Sequence, residues 1–503
     1  LDINGEAIQL EYDPDQSKHT VKDVFGNPTT YVYDQRGNIV TEVDAEGGVT
    51  QRTYDGDNNL LSETDADGVV TKYTYDSNGN ILTLEDGDDN ITRMTYNRYG
   101  KVLSVVSPTG LSMSFKYDSR GNLIESTDTN GLKTLNFYDS NGKPIRQVAP
   151  DGQTTIWSYD SKGNPVSMTD SRGNEVKATY NNNGWMQSAS MDFVIDGETV
   201  TPSRNFTYDS EGRTLTSTTS QGNTQSQTYN ALGKVASTTD ILGNVTLYDY
   251  NDKGLLRRIT LPDYTPNNPN DNPYVLREYD AADRLVKETS PTGLVMEYVY
   301  DNLGRTVETI LPDLTPDNPN DNPRTQTEYS KAGRVLSQTD ILGNSISFDY
   351  DNLGRLMTET DILGNDTTYT YTIGGQKASI TDPRNRTTNL VYDDKARLSK
   401  ALFFDDTNIS IGYDELGRVA SETNELGQTT RYEYDEFGRT NAVINALGER
   451  TEMEFDGRGN LLKLTDALGR VTRYEYDEYG RQTATVFANG ARMELGYDKF
   501  NRQ

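Results

Sequence analysis

Residue character alternates with a period of two along short stretches of the chain, and about every ten residues the alternation is broken by an Asp-x-x-Gly tetrad. In Asp466–Arg481, DALGRVTRYEYDEYGR, the tetrad occurs at Asp466–Gly469 and again at Asp477–Gly480, with VTRYEY between. Thr472, Tyr474 and Tyr476 share one parity and Val471, Arg473 and Glu475 the other, as in a strand with two unlike faces. Asp suits the first position of a type I turn, where its carboxylate accepts from N–H groups ahead of it. Gly suits the fourth, where positive φ carries no steric cost. The unit predicted is a β-hairpin with strands of about six residues.

This hairpin recurs. With the Tyr before the second tetrad as marker, it falls at Tyr12, Tyr33, Tyr54, Tyr75, Tyr96, Tyr117, Tyr138, Tyr159 and Tyr180, 21 residues apart, then at Tyr208, Tyr229 and Tyr250, then Tyr279 and Tyr300. It continues from Tyr329 through Tyr350, Tyr371, Tyr392, Tyr413, Tyr434, Phe455 and Tyr476 to Tyr497. A fixed period in this range marks a repeat architecture. Insertions interrupt it around 187–203, 261–273 and 311–323. The first, with Ile195-Asp-Gly-Glu198 at its centre, predicts a lengthened hairpin. The other two, LPDYTPNNPNDNP and LPDLTPDNPNDNP, are near copies 50 residues apart, and their Pro and Asn predict projecting loops. Residues 1–503 read as a single array cut inside a repeat at both ends, since Asp2 and Gly5 occupy a turn with no strand before it and Tyr497–Gln503 stop just after one.

The Tyr-Asp-x-x-Gly-Arg units, such as Tyr413–Arg418 and Tyr434–Arg439, resemble the YD repeats of Rhs proteins, teneurins and the cocoon-forming subunits of Tc toxins. The likeness covers essentially the whole chain. It implies a long β-sheet spiralling into a hollow shell, often around a toxic polypeptide, in a secreted or cell-surface protein.

Composition sharpens this picture. Hydrophobic residues make up 33% of the 503 and the net charge is −29, values compatible with disorder. Disordered chains do not keep strand formers and turn formers in a 21-residue register, however. Two strands per repeat at about 4.8 Å each give a ribbon on the order of 220 Å long, and open sheets rarely pass about ten strands without curling. The fold class expected is therefore all-β, one long curled or spiralling antiparallel sheet, which the resemblance implies forms a hollow shell or tube.

Candidate chemistry is sparse. Cysteine is absent, and His19 is the only histidine, so a Cys-His pair is excluded and one Ser-His-Asp set at most is possible. His19 has no Gly-x-Ser-x-Gly elbow in reach. The many Asp residues recur at turn positions, where backbone hydrogen bonding accounts for them better than acid–base catalysis. Asp55–Asn59 and Asp65–Gly68 space oxygen ligands as calcium loops do, but neither continues to the Gly and late Glu of an EF-hand. Arg213, Lys234, Arg305, Arg355 and Arg439 follow turn glycines, where they neutralise turn Asp residues. With 77 acidic against 48 basic residues the chain lacks the net positive clustering that nucleic acid requires. Paired tyrosines such as Tyr432 with Tyr434 are ascribed to stacking between strands rather than to sugar binding. Trp157 and Trp185 break the repeat without a partner motif. The Rhs-like core signature Asp-Pro-x-Gly-Leu is not met by Asp382-Pro-Arg-Asn-Arg386.

No catalytic, cofactor-binding or metal-binding residue is therefore assigned. The expected function is a non-catalytic shell enclosing a polypeptide cargo from the same or an adjacent chain. The alternative is an extracellular structural or adhesive tube or rod that binds a cell-surface protein or carbohydrate through its projecting loops. Neither nucleic acid nor membrane insertion is expected.

Overall fold

The computed structural model describes residues 9–195, 198–262, 272–312, 322–477 and 479–497. The two Pro- and Asn-rich insertions lie almost wholly outside these residues. Among the described residues there are 46 strands and no helix. The strands are mostly six and five residues long in alternation, as in Val471–Tyr476 and Gln482–Val486. They pair antiparallel with their neighbours in sequence, so each repeat contributes an outgoing strand ending in the marker tyrosine and a shorter return strand.

The pairing register shows how one repeat is built. Arg473 faces Val486, Tyr474 faces Thr485 and Glu475 faces Ala484, and the register then shifts so that Tyr476 faces Gln482. The same shift before the marker recurs at Tyr54, Tyr117, Tyr300 and Tyr434. It places one extra residue on the return side, a bulge that increases local twist. The insertion around 187–203 forms a lengthened hairpin: Met186–Ile195 continues past its normal length and pairs with Glu198–Val200 through Phe193↔Val200 and Ile195↔Glu198.

Packing is thin. On the outgoing strand the marker face is half-buried and the other face exposed, as the pattern over Val471–Tyr476 records. The exposed face is tied by polar cross-strand pairs: Thr74 with Thr83, Thr95 with Ser104 and Thr179 with Ser188, each at 2.6 Å between hydroxyls. Among the described residues the buried apolar side chains are Ala401, Ala442 and Ala484, and no large side chain is fully buried. Ala442 sits between Glu433 and Glu452 in the pairing, and Arg450 bridges those two carboxylates at 2.8 and 2.7 Å. A small residue there lets a charged pair close over the sheet.

The chain forms two compact units: Leu1–Ser112 with Leu247–Leu390, and Met113–Thr246 with Val391–Gln503. In each, a later run of hairpins packs against an earlier one.

Candidate functional site

The turns concentrate the polar chemistry. In Asp435–Arg439 the Gly438 N–H donates to the Asp435 carbonyl at 3.0 Å, the Asp435 N–H donates to the Arg439 carbonyl at 2.9 Å, and Gly438 has φ +77°. One oxygen of the Asp435 carboxylate accepts from the N–H of Phe437 and of Arg439, both at 2.9 Å, while the other accepts from Arg439 Nε at 2.6 Å. Burial pushes this carboxyl up, but the Arg439 and Phe437 donors outweigh it and hold it below its ordinary value. Where Asn takes the place of Arg, the bracket closes with an amide instead. The Asn38 side chain donates to Asp34 at 3.0 Å and is the main reason that the Asp34 carboxyl is lowered to about 2.

In marker turns the arginine of the bracket also lies over the next marker ring. Arg355 covers Tyr371 at 4.5 Å, Arg397 covers Tyr413 and Arg418 covers Tyr434 at 4.3 Å, and Arg439 covers Phe455 at 4.8 Å. The marker hydroxyl in turn donates to the first carbonyl of the previous return strand: Tyr371 to Leu356, Tyr434 to Val419 and Tyr75 to Leu60, all at 2.7 Å. This corrects the expectation of tyrosine stacking. These marker tyrosines are held by an arginine face and a carbonyl, and Tyr432, two residues before its marker, donates to Glu422 at 2.7 Å. A guanidinium over a ring adds about 0.5–1 kcal/mol at exposed sites. The turn Asp and the Arg four residues later form ion pairs as the sequence implies, at 2.7 Å for Asp414–Arg418 and 2.6 Å for Asp435–Arg439.

In each unit a row of turns from the earlier run meets marker turns of the later run. In the first unit the Asn302 N–H donates to Glu46 at 2.9 Å. Arg334 reaches Asp65 at 2.8 Å and also pairs with Asp67, and Arg355 reaches Asp88 at 3.3 Å. In the second unit the buried Asn174 side chain donates to the Gly457 carbonyl at 2.9 Å, and Arg172 lies 5.8 Å from the Phe437 ring. Asp67 is the most heavily engaged. Burial raises its carboxyl, but Ser330, Ala332 and Arg334 together lower it on balance. Sequence reading missed this seam. Its signals were acids just before the turn glycine, at Glu46 and Asp67, and a Ser in place of Asp at 330.

The singular candidates fall elsewhere. His19 is exposed on the strand Lys18–Lys22, edge-on between the rings of Tyr12 and Tyr33 at 4.5 and 5.2 Å, with no acid or hydroxyl among the described residues bonded to it. The Asp55 carboxylate accepts from Asp57 N, Asn59 N and Asn59 Nδ2 of its own turn, and Asp65 and Asp67 pair with Arg334 across the seam, so carboxylates of both calcium-like loops already hold protein donors. Asp382 brackets Arg384 and Arg386 as an ordinary turn. Trp185 packs on Tyr208 at 5.6 Å, and Trp157 faces Met168 in the sheet. A groove of about 610 Å³ beside Leu447 is lined by Ile409, Ser410, Ile411, Glu422, Thr423 and Thr430, and the Glu422 carboxylate there accepts from the Tyr432 hydroxyl at 2.7 Å.

These features can be set beside known proteins. The teneurin YD-shell family matches residues 1–194 and 168–310, and the RHS repeat matches 329–366, 413–450 and 455–492. Among solved structures, the Tc holotoxin pore of Photorhabdus luminescens is similar over 99% of this chain and 33% of its own, with 14% identity and a TM-score of 0.58. A crystal structure of TcdB2-TccC3-TEV is similar over 98% of this chain and 33% of its own, with 15% identity and a TM-score of 0.56. The chain thus spans about a third of the length of these structures, and at such identity the likeness is one of fold. No curated protein matches it. The recurrent Tyr-Asp repeat, the all-antiparallel sheet and the family matches over most of the sequence agree, and the chain belongs to the teneurin YD-shell family.

Proposed function

We propose that the array is a non-catalytic wall that encloses a polypeptide cargo carried on the same or an adjacent chain, in a secreted or cell-surface protein. The observation that carries this reading is the commitment of its polar groups. Turn carboxylates such as Asp55, Asp382 and Asp435 have their oxygens occupied by N–H groups, amides and guanidiniums of their own turns, which leaves them poorly placed to exchange protons with a substrate. The thin sheet supports it too, because side chains that bury almost nothing large are suited to bounding a space rather than filling one. Proteins similar in fold are toxin assemblies, the Tc holotoxin pore and TcdB2-TccC3, which favours a toxin-type cargo.

A second reading, display to an external partner, is favoured by one feature. In the second unit Leu426, Leu447 and Leu468 stand at the same position of successive turns with 81, 83 and 74% of their surface exposed. The two readings separate by limited proteolysis of the whole gene product. A cargo segment digested equally fast with and without the array removes enclosure and leaves display, and hydrolytic activity lost on His19→Ala overturns both.

A further inference from the structure

Nearly identical turns give an edge no intrinsic reason to meet its partner in one register rather than one repeat away, about 9.6 Å along the row. Edges specified this weakly are prone to slip. In the first unit, three consecutive repeats of the seam depart from the common pattern, and the opposing residues answer each departure.

The first match is electrostatic. Marker turns ending in Arg carry their own acid, as in the pairs Asp280–Arg284, Asp301–Arg305 and Asp351–Arg355. The turn at 330 has Ser instead, so Arg334 has no acid in its own turn and extends to Asp65 and Asp67. The Ser330 hydroxyl donates to Asp67 at 2.6 Å and the Ala332 N–H donates to it at 3.1 Å. The second match is steric. A Cβ on Gly87 would lie 3.1 Å from the Asn352 carbonyl oxygen and 3.3 Å from Leu353 Cδ2, so the absence of a side chain makes room for the incoming turn. The third reverses the roles: Gly374 stands where Leu303, Leu353 and Leu416 stand in other marker turns, and a Cβ there would meet the end of its own turn's Gln376 side chain at 2.5 Å and, across the seam, Thr109 Cγ2 at 3.0 Å.

We propose that these three pairs, Asp67 with Ser330 and Arg334, Gly87 with Leu353, and Thr109 with Gly374, form a register key. The key selects which repeats of the later run dock on which repeats of the earlier one. Displaced by one repeat, Asp67 faces the carboxylate of Asp301 or Asp351 in place of a hydroxyl. Leu353 meets Pro108 and Thr109, or Ala66 and Asp67, in place of Gly87. Each error either sets like charges together or overpacks a close contact, and discrimination by such mismatch is how repetitive edges avoid alternative pairings.

Because the chain has no cysteine, engineered pairs report register directly. Glu46→Cys with Asn302→Cys marks the native register, and Glu46→Cys with Lys331→Cys marks a slip of one repeat. In the otherwise native sequence only the first pair should crosslink under mild oxidation. Ser330→Asp should lower that yield at least threefold. Adding Asp67→Ser should restore it, since the hydroxyl–carboxylate pair returns with its ends exchanged. Ser330→Asp together with Gly374→Leu should let the slipped pair form. If that variant fails to fold, Ser330→Asp and its rescue decide alone. A native crosslink unaffected by Ser330→Asp, or a loss that Asp67→Ser fails to rescue, overturns the key.

Discussion

The turn at Asp393–Arg397 has the same hydrogen bonds as that at Asp435–Arg439, yet Ala396 occupies its fourth position at φ +61° where Gly438 stands at +77°. The two sites form a matched pair for measuring what glycine contributes. An alanine held in the left-handed region costs about 1–2 kcal/mol, and a glycine loses about 0.4–1 kcal/mol more chain freedom on folding. The difference is a net of about 1 kcal/mol in favour of glycine. At Gly438 a new Cβ would have Arg418 Nη1 as its nearest neighbour at 3.8 Å, an ordinary contact, so no clash adds to the conformational cost. Ala396→Gly should therefore stabilise, and Gly438→Ala destabilise, by about 1 kcal/mol each. Gly438→Val should cost about 1–3 kcal/mol. Both sites lie in the second unit, as do Trp157 and Trp185, the only tryptophans, so urea unfolding followed by tryptophan fluorescence reads the right part of the molecule. Changes of the same sign at the two positions, or no change at either, would refute the claim that left-handed geometry is what glycine supplies.

Further outcomes follow from the brackets and staples. Tyr434→Phe removes the 2.7 Å bond to the Val419 carbonyl and should cost about 0.5–1.5 kcal/mol by the same fluorescence assay. Leu447→Ser, at an exposed tip, should stay within about 0.5 kcal/mol of the parent. Ala442→Leu, at a position with no exposed surface, should cost about 1–3 kcal/mol by overpacking under the Arg450 bridge. The turn carboxylates of Asp34, Asp76 and Asp435 have folded pKa values below their unfolded ones, so the stability they contribute is present above about pH 4. It should be lost as pH falls toward the folded value, about 2 for Asp34, and an acid titration by circular dichroism with no loss between pH 4 and 2 would count against the bracket.

The fold was legible because it is written in local terms. Asp-x-x-Gly fixes a turn by chemistry confined to four residues, and parity between the turns fixes the faces, so Asp466–Arg481 alone specifies its hairpin. The neutralising role of Arg439 was legible for the same reason, since its partner is four residues away. The carbonyl partner of Tyr434 was not, because a backbone oxygen carries no identity in a sequence. Nor was the seam: Asp67 and Arg334 are separated by hundreds of residues, and in a repetitive chain no pattern says which repeat another will meet. What sequence did offer there was the exception, Ser330 between the turns of Asp301 and Asp351 and Gly374 where Leu303 and Leu353 stand, and exceptions gain meaning only when their opposites are known.

The tyrosine staple has a polarity. The donor always sits in the later repeat and the acceptor in the earlier one, as with Tyr371 on Leu356, Tyr413 on Leu398 and Tyr476 on Leu461. A chain made from its N-terminus presents each acceptor before the donor that will find it, so a hairpin that carries such a tyrosine brings its own fastening to a hairpin already formed. Repeat arrays propagate order between neighbours, and here that propagation runs in the direction of synthesis, with the growing end waiting only for residues about to be added.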